Sequence, residues 1–487
     1  MEDYLRPIDS KSKILESYKS YILSIFHTDN EEYNRQIRKL VDEGYEFVKG
    51  PYLQLIENYK QGQTVEELTD SLLSKEFLKL NSDSFDPKSM RLYIHQINAL
   101  NNIIASDRST VVSTGTGSGK TESFLLPIVN YLMREIESGT IKRSGVRAML
   151  IYPMNALVND QIHRLKSLLG NYHDITFGFF TGETNDLKND DDYRKRFGDD
   201  PSPNEVFKRS DMRENPPHIL ITNYAMLEHI LIRPENSVKI FSEESSDLWK
   251  YIVLDEAHTY GGAKGTEISM LLRRVKTTLN NDKIRFILTS ATLGNEKTNK
   301  HVAEFANNLT GSSDIDESDV IRACVDPPVK PADTRLIPLG EYESILDTVD
   351  DSSDDSYKSK IGKMLLEDER FWKVREVLKE GTKPFEEVCT RTGLSEDEMS
   401  RFINVASHGF KNGRKVFDSK YHIFMRSLEG IYVSLKPSNK VTFSSGDQIV
   451  DNDLSGEKFA SFQISSCYSC NAIFIPGRIK NGILRNI

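Results

Sequence analysis

The sequence predicts an α/β fold: a parallel sheet with helices on both faces, preceded by a helical amino-terminal region and followed by a helical module and a small strand-rich one. Three observations predict it. Between residues 91 and 311, short runs rich in Val, Ile, Leu and Phe alternate with stretches of helical period, the arrangement of βαβ units. Those runs are continuously apolar, as strands covered on both faces are. A glycine-rich turn closes the first run and a pair of carboxylates closes a later one, which gathers polar chemistry at the strands' carboxyl ends.

Residues 1–85 place apolar side chains at helical spacing, as in Ile14, Leu15, Tyr18, Tyr21, Ile22 and Ile25, with Gly50-Pro51 as a break between helical stretches. Residues 86–311 form the sheet domain, with strands expected at 110–112, 148–152, 175–180, 219–222, 252–254 and 286–288. The acids at 186–200 and 314–355 keep company with Ser and Asn, so both stretches read as solvated loops, the second within a linker over 312–356. Residues 357–415 read as a helical module. Within it, Phe385 to Phe402 has the outline of a helix-turn-helix, but the second helix opens on Glu396-Asp397-Glu398, charges that repel phosphate and favour a packing role. Residues 416–487, richer in Val, Ile, Tyr and Phe, read as strands.

Composition narrows the class. A chain of 487 residues exceeds one ordinary core, and 38% hydrophobic with 28% charged residues is a globular balance. No apolar run approaches the roughly 18 residues of a membrane span, so no membrane partner is expected. The net charge of −10 opposes binding a polyanion over the whole surface and leaves room for a local basic track. Residues 1–21 lack a basic head followed by an apolar block, and four cysteines are too few for a disulfide framework, which points to the cytoplasm.

The chemistry sits in two motifs. In Ser113-Thr-Gly-Thr-Gly-Ser-Gly-Lys-Thr-Glu122, the backbone amides of Thr116, Gly117, Ser118 and Gly119 can wrap phosphate oxygens. Lys120 then supplies a cation for the outer phosphates and Thr121 a hydroxyl for Mg²⁺. Thr114 stands where the generic pattern has its first glycine. In Val253-Leu-Asp-Glu-Ala-His258, Asp255 can hold the metal's water shell and Glu256 can polarise an attacking water. ATP and Mg²⁺ are the ligands this pair calls for.

Read with their neighbours, these loops resemble the first RecA-like domain of the superfamily 2 DEAD/DEAH-box helicases over about residues 90–311. Leu92-Tyr-Ile-His-Gln-Ile-Asn-Ala-Leu100 is similar to that family's glutamine motif, which implies that Gln96 binds the adenine edge. Tyr152-Pro-Met-Asn-Ala-Leu-Val-Asn-Asp-Gln161, Thr181-Gly182, and Ile221-Thr-Asn223 with Arg233 resemble the loops that grip a strand's backbone. The resemblance makes Pro153, Asn155, Thr181, Gly182, Thr222, Asn223 and Arg233 nucleic-acid contacts, without sequence readout. Taken singly, Pro153 or Asn223 could equally be shaping a turn. Thr289-Ser-Ala-Thr-Leu293 matches the motif whose hydroxyls, Ser290 and Thr292, couple the carboxylates to strand movement, and His258 becomes a coupling residue rather than a metal ligand.

Thr259-Tyr-Gly-Gly-Ala-Lys-Gly-Thr-Glu267 narrows the resemblance to bacterial helicases of the MrfA mitomycin-repair and Druantia antiphage type. The kinship implies DNA as partner, although backbone contacts do not exclude RNA, and a role in phage defence or DNA repair. It also implies a cysteine-containing insert. Cys467-Tyr-Ser-Cys470 offers two of the four ligands Zn²⁺ requires, and reads as part of a complete zinc site in this chain, as half of a site completed elsewhere, or as two ordinary thiols. After Leu309 no second run of strand–helix alternation ends in an arginine-rich motif, so a second RecA-like lobe is expected from another polypeptide. The alternative is a non-catalytic ATP-gated nucleic-acid-binding subunit, or a truncated product. Intact Asp255 and Glu256 weigh against a pure binder.

Overall fold

The computed structural model describes residues 5–44, 46–80, 82, 85–115, 117–170, 172–185, 187–233, 239–291, 293–294, 296–347, 356–428, 430–434, 440–443, 448–451, 457–467, 470–480 and 483–485. The chain divides into two compact units, one of residues 59–326 and the other of residues 1–58 with 327–487.

The first unit is built on an eight-stranded sheet. Its strands are β1 (Thr110–Ser113), β2 (Ala148–Tyr152), β3 (Phe177–Phe180), β4 (Glu205–Val206), β5 (Ile219–Asn223), β6 (Tyr251–Leu254), β7 (Arg285–Ser290) and β8 (Val320–Arg322). The order across the sheet is β8-β1-β7-β6-β2-β5-β3-β4, and every pairing is parallel. Side chains alternate between two cores. Val112, Leu150, Val253 and Ile287 face one, and Val111, Met149, Ile151, Ile252, Leu254 and Leu288 face the other, which is why these strands read as unbroken apolar runs.

Helices cover both faces: α1 (Lys120–Ser138), α2 (Asn155–Leu169), α3 (Tyr224–Ile232), α4 (Gly262–Leu279) and α5 (Asn299–Thr310). The first of these starts from Gly119 and stops at Gly139, both left-handed, with φ of 71° and 74°. The stop is the common glycine device that satisfies orphan carbonyls: Gly139 N–H donates to Ile136. Phe124, Ile128, Val129, Leu132 and Met133 bury its flanks.

Two strands exceed the sequence expectation, β4 and β8, at the sheet's two edges. Both are too short to carry a period, and β8 lies within the acidic stretch that reads as linker. The structure corrects that reading locally. Arg108 Nε donates to Asp319 Oδ1 at 2.6 Å and its Nη2 lies 2.7 Å from Asp316 Oδ2, so the acids at 316–319 anchor β8 rather than floating in solvent. Similarly, Asp190–Phe197 is a helix capped by Asn189, with Arg194, Lys195 and Arg196 in its last turn.

His218, just ahead of β5, is a buried residue whose Nδ1 accepts from Thr176 N–H at 3.0 Å. Burial, reinforced by the Arg147 charge, lowers its pKa to about 4. The unfolded chain takes this proton near pH 6.5, whereas the folded one resists it. The contribution is therefore complete above about pH 6.5 and is lost as pH falls toward 4, about 3 kcal/mol in all. Urea midpoints at pH 7 and pH 4.5 should separate by less in His218→Gln than in the parent chain.

In the other unit, Pro7–Ile25 is helical, and the periodicity of Ile14 to Ile25 is that helix. Gly50-Pro51 does not break two helices but lies inside the strand Val48–Ile56, since Leu53 and Leu55 alternate with Tyr52 and Gln54 across a sheet. Four helices, Ser356–Glu367, Glu369–Lys379, Phe385–Thr392 and Glu396–Ala406, enclose Phe371, Val388, Met399 and Phe402. A capping box of Ser395 and Glu398 opens the last of them. A second antiparallel sheet joins Ile431–Ser434, Lys440–Thr442, Gln448–Asp451, Glu457–Ser466 and Ile473–Phe474. No helix among the described residues is long and apolar enough to cross a membrane.

Candidate active site

β1 ends at Ser113 and α1 begins at Lys120, so the glycine-rich turn lies at the carboxyl edge of the sheet. Gly117 has φ 77°, and a side chain there would meet open space, so the backbone conformation alone requires glycine. Gly119 is doubly constrained: φ is 71°, and a Cβ would fall 2.2 Å from Gln96 Nε2. Thr114, in place of the pattern's first glycine, works as a brace. It is buried, its N–H donates to Ser290 C=O at 3.1 Å, and its hydroxyl lies 2.6 Å from Ser118 Oγ. Thr116 lies outside the described residues.

Behind the turn, Gln96 is buried, accepts from Tyr93 N–H at 2.7 Å and donates to Gly119 C=O at 2.9 Å. Its amide thus ties the upstream helix to the turn. The neighbouring His95 does the same: fully buried, it meets Ser118 C=O through Nε2 at 2.8 Å and stacks on Tyr93. Facing a carbonyl, Nε2 must carry the proton, so the ring is the neutral Nε2–H tautomer, and burial lowers its pKa.

Across the turn, β6 delivers the carboxylates. Asp255 Oδ1 accepts from the Thr289 hydroxyl and from Glu256 N–H, and burial raises its pKa. Glu256 is held at φ 50°, a left-handed conformation unusual for a side chain of its size, which turns its carboxylate toward the phosphate turn. Glu256 Oε1 lies 3.3 Å from Lys120 Nζ. Its Oε2 is buried with no hydrogen-bond partner among the described residues, although His258 Nδ1 lies 3.2 Å away, and Nδ1 is also 3.1 Å from Ser290 Oγ. Among the described residues, an ammonium held by a carboxylate, beside a buried oxygen lacking a donor and a carboxylate that burial disfavours as an anion, is a ligand set suited to a metal-bound polyphosphate and its water. Thr121, second residue of α1, and Asp255 are the metal-side candidates.

Two contributors escaped the sequence reading. The hydroxyl on Asp255 comes from Thr289, one residue before Ser290, while Thr292 lies outside the described residues. Arg322 of β8 donates to Ser113 Oγ at 2.7 Å and to Leu293 C=O at 2.6 Å, tying the first strand to the segment after β7. Thr289 was visible in its motif. Arg322 had no local signal, because its role depends on β8 pairing with β1.

Of the residues assigned to a nucleic-acid strand, Pro153, Asn155, Thr181, Gly182, Thr222 and Asn223 lie at the same sheet edge, and Arg233 does not. Asn223 caps α3 through Met226 N–H at 2.8 Å and donates to Asn155 Oδ1 at 2.7 Å. Asn155 in turn lies 3.5 Å from Glu183. Pro153 is half-buried and Gly182 exposed. Thr181 and Thr222 are buried, and the Thr222 hydroxyl donates inward to Phe180 C=O at 2.7 Å. Arg233 is exposed at the far end of α3, about 15 Å along the helix from Asn223. Arg209, which the sequence did not flag, donates to Thr181 C=O at 2.6 Å and braces that loop. Cys467 is half-buried and Cys470 exposed, and among the described residues no three His, Cys, Asp or Glu side chains come together as a metal site.

The family model of the DEAD/DEAH box helicases matches residues 93–300. The Druantia protein DruE of Escherichia coli is 30% identical over 63% of this chain and 21% of its own length. The ATP-dependent helicase Lhr-Core of Methanothermobacter thermautotrophicus is 36% identical over 35% of this chain and 18% of its own. The chain thus spans about a fifth of the length of these relatives. A crystal structure of the DUF1998 helicase MrfA bound to DNA aligns with 64% of this chain and 38% of that one, at 22% identity and a TM-score of 0.40. With the phosphate turn, the paired carboxylates and the Thr289-Ser290 hydroxyls meeting at the carboxyl edge of a parallel sheet, residues 93–300 of this chain are a DEAD/DEAH box helicase domain.

Proposed function

We propose that this chain is the ATP- and DNA-binding lobe of a cytoplasmic helicase or translocase, acting in phage defence or DNA repair. The observation that carries the reading is the Lys120–Glu256 contact of 3.3 Å, with Asp255 and His258 held beside it by the hydroxyls of Thr289 and Ser290. Lys120 orients the outer phosphates. Glu256 accepts hydrogen-bonding from the attacking water and draws on its proton. Bound Mg²⁺ supplies neutralisation of phosphate charge. His258, between Glu256 and Ser290, passes a change at the carboxylate to β7, and Gln96 reads the adenine edge from behind the turn.

The DNA backbone crosses Asn155, Asn223 and the Thr181-Gly182 loop, where main-chain and amide groups contact phosphates without reading sequence. RNA offers the same backbone groups. The kinship of residues 259–267 supports DNA. Arg322 and Arg164, the latter bonded to Glu122, are engaged within the lobe, so the positive charge needed on the transferred phosphoryl comes from a second RecA-like lobe. Zn²⁺ at Cys467 and Cys470 would need ligands beyond this pair.

Calorimetry with ATP, with and without Mg²⁺, tests the site. Magnesium-dependent uptake is expected, with slow DNA-stimulated turnover until a second lobe is supplied. Absence of magnesium-dependent uptake would overturn the proposal.

A further inference from the structure

In the unit of residues 1–58 and 327–487, the strand Val48–Ile56 lies between Lys383–Pro384 and Asp418–Met425, antiparallel to both. Leu53, Leu55 and Tyr421 pack into the helical core, so Tyr52, Gln54, Lys420, His422 and Phe424 share the opposite face. There Phe424 is 59% exposed. Its ring centroid is 5.7 Å from Tyr52 at 65° and 6.2 Å from His422 at 12°. His422 is fixed in turn, with Nε2 2.7 Å from Gln54 Oε1. Two cations border the rings. Lys420 is exposed on the same strand, and Lys49, across the ladder from Phe424, keeps 61% of its side chain in solvent. Two acids lie nearby: Asp418 is 3.2 Å from Lys415, and Glu46 makes a loose, solvent-exposed contact of 3.7 Å with Lys49 that a phosphate can displace.

An exposed phenylalanine held by two neighbouring rings on a hydrogen-bonded ladder presents a rigid π face. A bordering pair of ammonium groups attracts phosphate. Aromatic stacking with flanking cations is how proteins hold single strands regardless of sequence, and an aliphatic protein surface offers no anion to either lysine.

We infer that this ribbon is a second contact for single-stranded nucleic acid, outside the ATP-binding lobe: one base stacks on Phe424, bounded by Tyr52 and His422, while Lys420 and Lys49 meet the flanking phosphates. The contact is independent of nucleotide.

The test uses the full chain and a fluorescein-labelled oligo(dT), titrated by anisotropy without ATP. Phe424→Ala should weaken binding roughly tenfold, within the range for loss of one base–aromatic stack, and Phe424→Trp should retain it. Lys420→Gln should lower the slope of log affinity against log salt by about 0.7. Oligonucleotides carrying 5-iodouracil should photo-crosslink to peptides containing Phe424 or Tyr52. Circular dichroism and an unchanged nucleotide affinity establish that the variants fold. Oligo(dT) affinity within twofold of the parent in Phe424→Ala, crosslinks confined to residues 59–326, or no binding of oligo(dT) at all would overturn the inference. The motor proposal fails separately: if magnesium-dependent ATP uptake is absent while Phe424→Ala still weakens oligo(dT) binding, the ribbon stands and the motor reading falls.

Discussion

Glu256→Gln is expected to lower ATP hydrolysis about 10²- to 10⁴-fold, the usual yield of a positioned general base, while leaving nucleotide affinity within a few-fold of the parent. The two parts of that expectation have different sources. A glutamine keeps an oxygen for Lys120, which lies 3.3 Å from Glu256 Oε1, so the ammonium stays in place for the phosphates. What disappears is the basicity at Oε2, the buried oxygen without a hydrogen-bond partner among the described residues. Lys120→Ala should behave differently, losing affinity and rate together, because it removes the cation itself and leaves Glu256 as a charge facing bound phosphate. Measuring Kd with a slowly hydrolysed analogue, and kcat by phosphate release in the presence of whatever supplies the second lobe, separates the two. Hydrolysis by Glu256→Gln within threefold of the parent would mean that another group handles the water.

That contrast depends on geometry only partly legible in the sequence. The phosphate turn and the carboxylate pair are local signals: glycine at 117 and 119 is demanded by backbone torsion, and an apolar run ending in two acids reads as a strand delivering them to an edge. Their meeting follows from the parallel order β1-β7-β6, which puts both loops at one end. What could not be read is whatever the tertiary fold alone brings together. Thr114 is a departure from a pattern until its N–H is seen on Ser290 and its hydroxyl on Ser118. Arg322 is one basic residue after an acidic run until β8 pairs with β1. The strand Val48–Ile56 was obscured for the same reason, since its partners lie more than 300 residues away and Gly50-Pro51 mimics a chain break.

The largest stability effect is expected far from the phosphate turn, at the other end of α1. Arg147 is fully buried just ahead of β2, with Nε 2.8 Å from Glu135 Oε2 and Nη1 2.6 Å from Arg143 C=O and 2.7 Å from Gly145 C=O. Glu135 sits in the last turns of α1, so this pair pins the helix that carries Lys120 to the strand beside β6. Arg147→Ala leaves a carboxylate that is only 11% exposed without its cation and two carbonyls without their donor, a loss of about 3–5 kcal/mol. Against a total of about 5–15 kcal/mol, that is enough to shift the urea midpoint of this unit sharply. Arg147→Met combined with Glu135→Gln should recover much of the loss, because the cost lies in an unpaired buried charge rather than in the absence of an ion pair. In the folded fraction of either variant, magnesium-dependent nucleotide affinity should stay near the parent value, since the turn is braced independently by Gln96, His95 and Thr114. If Arg147→Ala unfolds at the parent's midpoint, the buried pair is not what fixes α1 to the sheet.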